Sequence, residues 1–491
     1  MQQLNGLEGL SLQAEMPGLP MTVSPIAIYD PSTAPGGQVR FKDILQVFEN
    51  NLPKNSLFRR RLLKVPLNLD HPYWIEDQEF DIEYHVRHIA LPQPGDWRQL
   101  YIQLARLKSR PLDRARPLWE AYVIEGLNKL NGIPPGSFCI MLRIHQAAMG
   151  GLTGLDWFTA MHDLSPAKPV RSSRPPVPMK EAAPASTELL RRAAVNSLRR
   201  GVKSIKLIGD SLNSYQAVSS AQRKGFLQRQ EEVVKTRFNR SVSPYRTVGK
   251  LRIPIADVEL IRQLCPGATI NDVALAVISG GMRRYLEAKD ELPAQALIAN
   301  SPVNPGKGLS DGRNNLTEMS ASLCTDIKDP VSRLKAIHAS TTEAKIHMNA
   351  KGTNVSADIA DILPPLLTSF GLHNNIGSGL LSNMGQTPNT TVSNIPIINK
   401  PIYFAGAKMV DLFGLGVLQQ RMGLYHTVTG LYDMITITIN ACRTAVPDPA
   451  VYSKCLRDSF EELLAQCEKP KAKAPRKKAS KIKKTAKAKA A

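Results

Sequence analysis

An α/β chain, two mixed layers joined by a linker, is the fold class predicted here, and three observations predict it. Strand-like and helix-like periodicities alternate in both halves of the sequence. A Pro-, Ser- and Arg-rich stretch (Arg171-Ser-Ser-Arg174-Pro-Pro-Val-Pro178) interrupts the regular patterning between about Asp163 and Phe238. The 491 residues are 43% apolar and 21% charged, enough to bury large cores and to exclude both a wholly disordered chain and a small disulfide scaffold.

The elements follow in order. Phe80, Ile82, Tyr84 and Val86 alternate with Asp81, Glu83, His85 and Arg87, the period-two pattern of a half-buried strand. Residues 97–108 predict a helix with Leu100, Leu104 and Leu107 on one face. Phe138, Ile140, Leu142 and Ile144 mark the buried side of a strand. Helices are expected over 271–286 and 330–345, the second with its proline in the permitted first turn. Residues 389–393 and 435–440 read as strands. The expected division is a first domain at 1–164, a basic linker with an amphipathic helix at 165–237, a second domain at 238–468 and a disordered Lys/Ala-rich tail at 469–491.

The net charge of +21 belongs to two appendages. Residues 469–491 carry +11 and residues 165–206 carry +8, leaving +2 for the rest. Nucleic acid or polyphosphate is therefore a partner only through the tail. Within 186–208, Leu190, Ala194, Leu198, Val202 and Ile205 fall at helical steps among Arg191, Arg192, Arg199, Arg200, Lys203 and Lys206. This composition suits a helix lying in a lipid interface, or one packed on its own domain with a solvated basic face. No stretch is long and apolar enough to span a bilayer, and Met1 to Val23 lacks a signal-type core. Six scattered cysteines show no metal-type spacing and read as reduced thiols, so the expectation is a cytoplasmic protein.

H-E-x-x-H, the P-loop and a complete G-x-G-x-x-G are all missing from the sequence. His85 and His88 would point to opposite faces of a strand, so no metal site is expected there. A series of local signatures remains, in fixed order: Phe80-Asp-Ile-Glu-Tyr-His85, Leu91-Pro-Gln-Pro-Gly95, Pro117-Leu-Trp119-Glu, His145-Gln-Ala-Ala-Met-Gly-Gly151, Asn271-Asp272-Val, Ser393-Asn-Ile-Pro396 and Ala441-Cys-Arg-Thr-Ala-Val-Pro-Asp448. Together they resemble the bacterial wax ester synthase/acyl-CoA:diacylglycerol acyltransferase family over about 20–464.

The resemblance implies two chloramphenicol-acetyltransferase-like α/β domains facing each other across a tunnel. It also implies acyl transfer from acyl-CoA, as co-substrate, to a diacylglycerol or fatty alcohol. No permanently bound cofactor and no metal are implied. In the family's H-H-x-x-x-D-G motif the second His takes the proton of the alcohol and the Asp braces its loop. This sequence departs from that motif. His145 keeps the first His, Gln146 stands at the base position, Gly150 stands at the Asp position and Gly151 keeps the final Gly. A glutamine amide is no useful proton acceptor near neutral pH. On a strand Gln146 shares the side of Ile144 and Leu142, so His145 does not simply replace the missing base.

The resemblance makes Asn271, Ser393 and Asn394 substrate-side candidates. Thr269 and Asp272 also fit a helix capping box, and Pro117-Leu-Trp119 fits a packing corner. His145 reads as either the surviving motif histidine or a structural strand histidine. Three functions stay open: an O-acyltransferase with impaired catalysis, a non-catalytic lipid- or acyl-CoA-binding member of the same fold, and a peptide-condensation-type domain. An anionic membrane or lipid-droplet surface, met through 186–208 and 469–491, is the expected site of peripheral attachment.

Overall fold

The computed structural model describes residues 1–54, 56–149, 158–167, 181–200, 233–303, 317–350 and 387–467. Gly150, Gly151, residues 201–208 and the tail 469–491 lie outside the described residues.

The chain opens with β1 (Gln2–Gln3), α1 (Gly6–Ala14), β2 (Thr22–Asp30) and α2 (Phe41–Asn51). Next come β3 (Arg60–Leu63), β4 (Tyr73–Glu76), α3 (Ile82–His85), β5 (Val86–Ala90) and α4 (Trp97–Lys108). Strands β6 (Trp119–Glu125) and β7 (Phe138–His145) follow, then a helix, α5, over 186–200. The second half begins with β8 (Arg246–Pro254), α6 (Ile255–Arg262), α7 (Ile270–Glu287), β9 (Ile298–Val303) and β10 (Thr317–Ser322). It continues through α8 (Pro330–Ala350), β11 (Thr390–Asn394), β12 (Tyr403–Phe404) and β13 (Ala407–Leu415). It ends with β14 (Leu424–Leu431), β15 (Met434–Cys442) and α9 (Pro449–Cys467).

Two six-stranded sheets carry the molecule, ordered β12-β13-β2-β7-β6-β5 and β10-β9-β11-β14-β15-β8. A three-stranded sheet, β1-β4-β3, flanks the first. Because β12 and β13 complete the first sheet, the halves are interwoven, and a cut at residue 238 does not separate two self-contained sheets. An ion pair between Lys250 of β8 and Asp411 of β13 ties the second sheet to the first. The Lys250 ammonium also lies 3.6 Å from the Trp97 ring centroid.

The long helices follow the sequence pattern. Asp96 caps α4 by accepting the Gln99 N–H at 2.8 Å, and Leu100, Leu104 and Leu107 are buried. Along β15 the isoleucines at 435, 437 and 439 join the core formed by α7, α8 and α9. The opposite face looks toward the first sheet, where Asn440 Nδ2 donates to the Gly416 carbonyl at 2.8 Å.

Several expectations are corrected. The alternating segment 80–87 is not one strand: Asp81 accepts the Glu83 N–H at 2.9 Å and caps a single helical turn, so β5 starts only at Val86. His85 is buried there, its ring 4.6 Å from Trp119, and this packing outweighs the strand pattern. Strand β7 is buried on both faces, because α4 covers Cys139 and Met141 while Phe48 and Leu52 pack with the predicted side. Helix α5 docks on the first half through Leu189 and Ala193, which pack with Val65 and Tyr73. The expected apolar stripe of Leu190, Ala194 and Leu198 is exposed instead. The docked face was hidden from the sequence because Leu189 and Ala193 sit one position before the more conspicuous leucine series.

Candidate active site

The central strand of the first sheet ends at His145, whose Cα partner on β2 is Thr22. Gln146 does not extend the strand. It opens a 3₁₀ turn, Gln146–Met149, and its backbone N–H donates to the Met21 carbonyl at 2.8 Å. The direction of Gln146 is therefore set by the turn, not by the strand parity expected from sequence.

His145 is buried, and both of its ring nitrogens are engaged. Its Nδ1 accepts the Ala147 backbone N–H at 3.0 Å. That leaves the proton on Nε2, which donates to Glu15 Oε2 at 3.0 Å. The same carboxylate oxygen accepts the Met21 N–H at 3.2 Å, and the other oxygen pairs with Arg114 at 3.4 Å. Burial drives the His145 pKa below its ordinary value, against the opposing pull of Glu15. Burial alone would raise Glu15, but the His145 hydrogen bond, the Arg114 charge and the Met21 N–H hold it below the usual carboxylate value. The pair is a neutral imidazole on an ionised carboxylate. In this arrangement the one lone pair of His145 is occupied by the Ala147 N–H.

Lys108 lies nearby, buried at the end of α4, with its Nζ donating to the carbonyls of Thr22 and Leu415. Burial and the neighbouring Arg143 and Arg246 cations push its pKa well below the ordinary lysine value. Sequence reading missed Glu15, Arg114 and Lys108. Each meets the motif only through long-range packing, so no local spacing announces it.

Two of the three substrate-side candidates meet directly. Asn394, at the end of β11, donates through Nδ2 to Asn271 Oδ1 at 3.2 Å, and Asn394 is exposed. Ser393, the preceding residue, is half-buried. Among the described residues no hydrogen bond joins this pair to His145 or Gln146. Asp272 has the capping role: its Oδ2 accepts the Thr269 N–H at 2.8 Å and His338 Nδ1–H at 2.9 Å, and its Oδ1 accepts from Thr341 at 2.8 Å. Trp119 is a buried packing corner whose Nε1 donates to the Phe58 carbonyl at 2.8 Å. Among the described residues no group of three or more His, Cys, Asp or Glu side chains could hold a metal ion.

Two interlocked α/β sheets with a motif histidine at the end of a central strand define the class: a two-domain acyltransferase fold of the chloramphenicol-acetyltransferase type. A solved wax ester synthase/diacylglycerol acyltransferase from Marinobacter aquaeolei superposes with a TM-score of 0.66 at 23% identity, covering 95% of this chain and 100% of that one. The first condensation domain of the calcium-dependent antibiotic synthetase gives 0.57 at 14% identity, with 96% of each chain covered. Residues 4–274 match the wax ester synthase/diacylglycerol acyltransferase catalytic domain and residues 313–464 match its C-terminal domain. A Mycobacterium tuberculosis protein, named as a candidate diacylglycerol O-acyltransferase, is 30% identical over 94% of this chain and 90% of its own length. The O-acyltransferase WSD of Acinetobacter baylyi is 28% identical over 91% of this chain and 93% of its own. The chain belongs to the wax ester synthase/diacylglycerol acyltransferase family.

Proposed function

We propose that this chain is an acyl-CoA-dependent O-acyltransferase for diacylglycerol or long-chain alcohols whose transfer step runs without an imidazole base. The acceptor hydroxyl oxygen attacks the thioester carbonyl, the C–S bond breaks, and the thiol of coenzyme A leaves with the proton. The family match over residues 4–274 and 313–464 carries the transfer reading, and Gln146 at the base position, beside a His145 with both ring nitrogens engaged, carries the absence of an imidazole base. Loss of a general base costs a factor of about 10² to 10⁴, so the remaining acceleration comes from holding the two substrates together. Gln146 contributes hydrogen bonding only, and Asn271, Ser393 and Asn394 are the polar groups offered to substrate. Acyl-CoA is consumed as co-substrate and no resident cofactor takes part.

The acceptors are insoluble in water, so the reaction belongs at a membrane or droplet surface, with the protein attached peripherally from the cytoplasm. Among the described residues no helix is long and apolar enough to cross a membrane. The +11 tail at 469–491 would add electrostatic attraction to an anionic leaflet, up to about 1 kcal/mol per Lys or Arg near the surface. Nucleic acid or polyphosphate would compete through that tail alone.

A second reading, a non-catalytic lipid- or acyl-CoA-binding protein, is favoured by the same occupied histidine. Purified protein with labelled acyl-CoA and either diacylglycerol or a fatty alcohol, scored for ester, separates the two. Slow, protein-dependent ester formation supports transfer. Saturable acyl-CoA binding with no ester above background establishes the second reading. Peptide-bond formation in place of ester would establish the condensation-type alternative.

A further inference from the structure

Leu67 is anomalous in two ways at once. Its side chain is 78% exposed, and its backbone is left-handed, with φ 57° and ψ 14°. That conformation is disfavoured for leucine, and an exposed side chain returns no burial in exchange. Leu69, two residues on, is also exposed.

Beside this turn lies α5. Arg200 donates to Asp70 Oδ1 at 2.5 Å and Asn196 Nδ2 donates to Asp70 Oδ2 at 2.8 Å, fastening the helix to the residue that follows Leu69. Leu189, Ala193, Asn196 and Arg200 form the docked face. At 100° per residue, Leu190, Ala194 and Leu198 fall on the outward side, and Leu198 is 76% exposed. A surface helix ordinarily turns a polar face outward; here the exposed side carries Leu190, Val195 and Leu198 among Arg191, Ser197 and Arg199. Lys64, Arg191 and Arg199 are exposed around the leucines. The nearby carboxylates are committed: Glu188 to Arg191 and Arg192, and Asp70 to Arg200. The rim therefore carries an excess of cations.

We propose that the 66–69 turn and the outer face of α5 form one docking surface for an anionic lipid bilayer. Leu67, Leu69 and Leu198 enter the headgroup–acyl boundary, and Lys64 and Arg199 meet lipid phosphates. Because Asp70 clamps α5 to the body, docking does not have to fold this part of the helix. The inference deepens the interfacial reading above and locates the contact on named residues.

The test is sedimentation of the full-length protein with phosphatidylglycerol-containing vesicles at 0.05 M and 1 M salt. At 1 M salt the Debye length is about 3 Å, so the tail's charge is screened and residual binding reports leucine insertion. Leu67→Asp with Leu198→Asp should bind at least tenfold more weakly at 1 M salt. Equal binding by variant and parent overturns the proposal. Leu67→Asn, at ease in left-handed backbone, should weaken binding without lowering the thermal midpoint; a lowered midpoint with unchanged binding makes Leu67 a scaffold residue. Lys64→Glu with Arg199→Glu should weaken binding at least threefold at 0.05 M salt and leave binding at 1 M salt unchanged. If low-salt binding is unaffected, the anionic component is wrong. Ester formation on detergent-dispersed diacylglycerol should be the same in the parent and the leucine variant. No ester from either protein, with vesicle binding intact, sinks the acyltransferase reading and leaves the docking surface standing.

Discussion

His145 Nε2 and Glu15 Oε2 lie 3.0 Å apart, and this contact fixes the tautomer of the motif histidine. Glu15 stands just beyond α1, far from residue 145 in sequence. Through one oxygen it also accepts the Met21 N–H, while the Met21 carbonyl takes the Gln146 N–H. The position of Gln146 is thus set by a chain of three residues that begins at Glu15. Substituting Glu15→Ala should strand the His145 Nε2–H and the Met21 N–H in a buried setting. An unsatisfied buried donor costs about 1–3 kcal/mol, so urea denaturation should show a loss in that range or above. A change below about 0.5 kcal/mol would mean that the motif loop is anchored elsewhere.

The motif itself can be rebuilt. Gln146→His with Gly150→Asp supplies a base and its brace together, and ester formation should rise by about 10²-fold or more. The two changes should act non-additively, since an unbraced histidine is poorly placed. The gain should also shrink when Glu15→Ala is added, because Glu15 sets the position of residue 146. A double variant no faster than the parent places the limitation outside the motif.

How much of this was readable in the sequence varies with the range of the interactions involved. Helix α4 and the strand at 435–440 were legible because Leu100, Leu104 and Leu107, or the isoleucines at 435, 437 and 439, mark one buried face locally. The turn at 82–85 was not, because its strand-like alternation is overruled by the Asp81 cap and the burial of His85 against Trp119. The loss of the base was visible at Gln146. The engagement of His145 was not, since Glu15 reaches it only in the folded chain. The crossing of β13 into the first sheet leaves no local trace either.

Acid should destabilise the protein in a defined window. His426 is fully buried, with Nδ1 3.0 Å from Thr390 Oγ1 and Nε2 2.9 Å from the Tyr452 hydroxyl, and burial pushes its pKa down to about 3. The unfolded chain, with a histidine pKa of about 6.5, takes up this proton first. The contribution of His426 is therefore fully present above pH 6.5 and is lost progressively as pH falls toward 3, at about 1.4 kcal/mol per unit. His145, also held low by burial, adds a loss of the same sign. Denaturation midpoints measured between pH 7.5 and 5 should fall, and His426→Gln should flatten that slope even if it lowers stability overall. An unchanged slope in the variant would assign the acid sensitivity to other groups.

Asn271 and Asp272 are neighbours with opposite predicted roles. Asp272 caps α7 and binds it to α8 through His338 and Thr341, so its carboxylate serves the scaffold. Asp272→Ala removes the cap and leaves buried donors unpaired, and the expected cost is about 2–4 kcal/mol. Asn271 instead turns toward Asn394, and their 3.2 Å hydrogen bond is reached by solvent. Substituting Asn394→Ala should change stability by less than about 0.5 kcal/mol. If the pair holds a substrate polar group through one hydrogen bond, worth about 1.4 kcal/mol, ester formation should fall about tenfold. Asn271→Ala should behave likewise, and the double variant should be little worse than either single one, because both changes break one arrangement. Urea denaturation beside initial rates decides between the roles. A stability loss near 2 kcal/mol in Asn394→Ala with an unaltered rate would move the asparagine pair to the scaffold and leave the acceptor to be held by other residues.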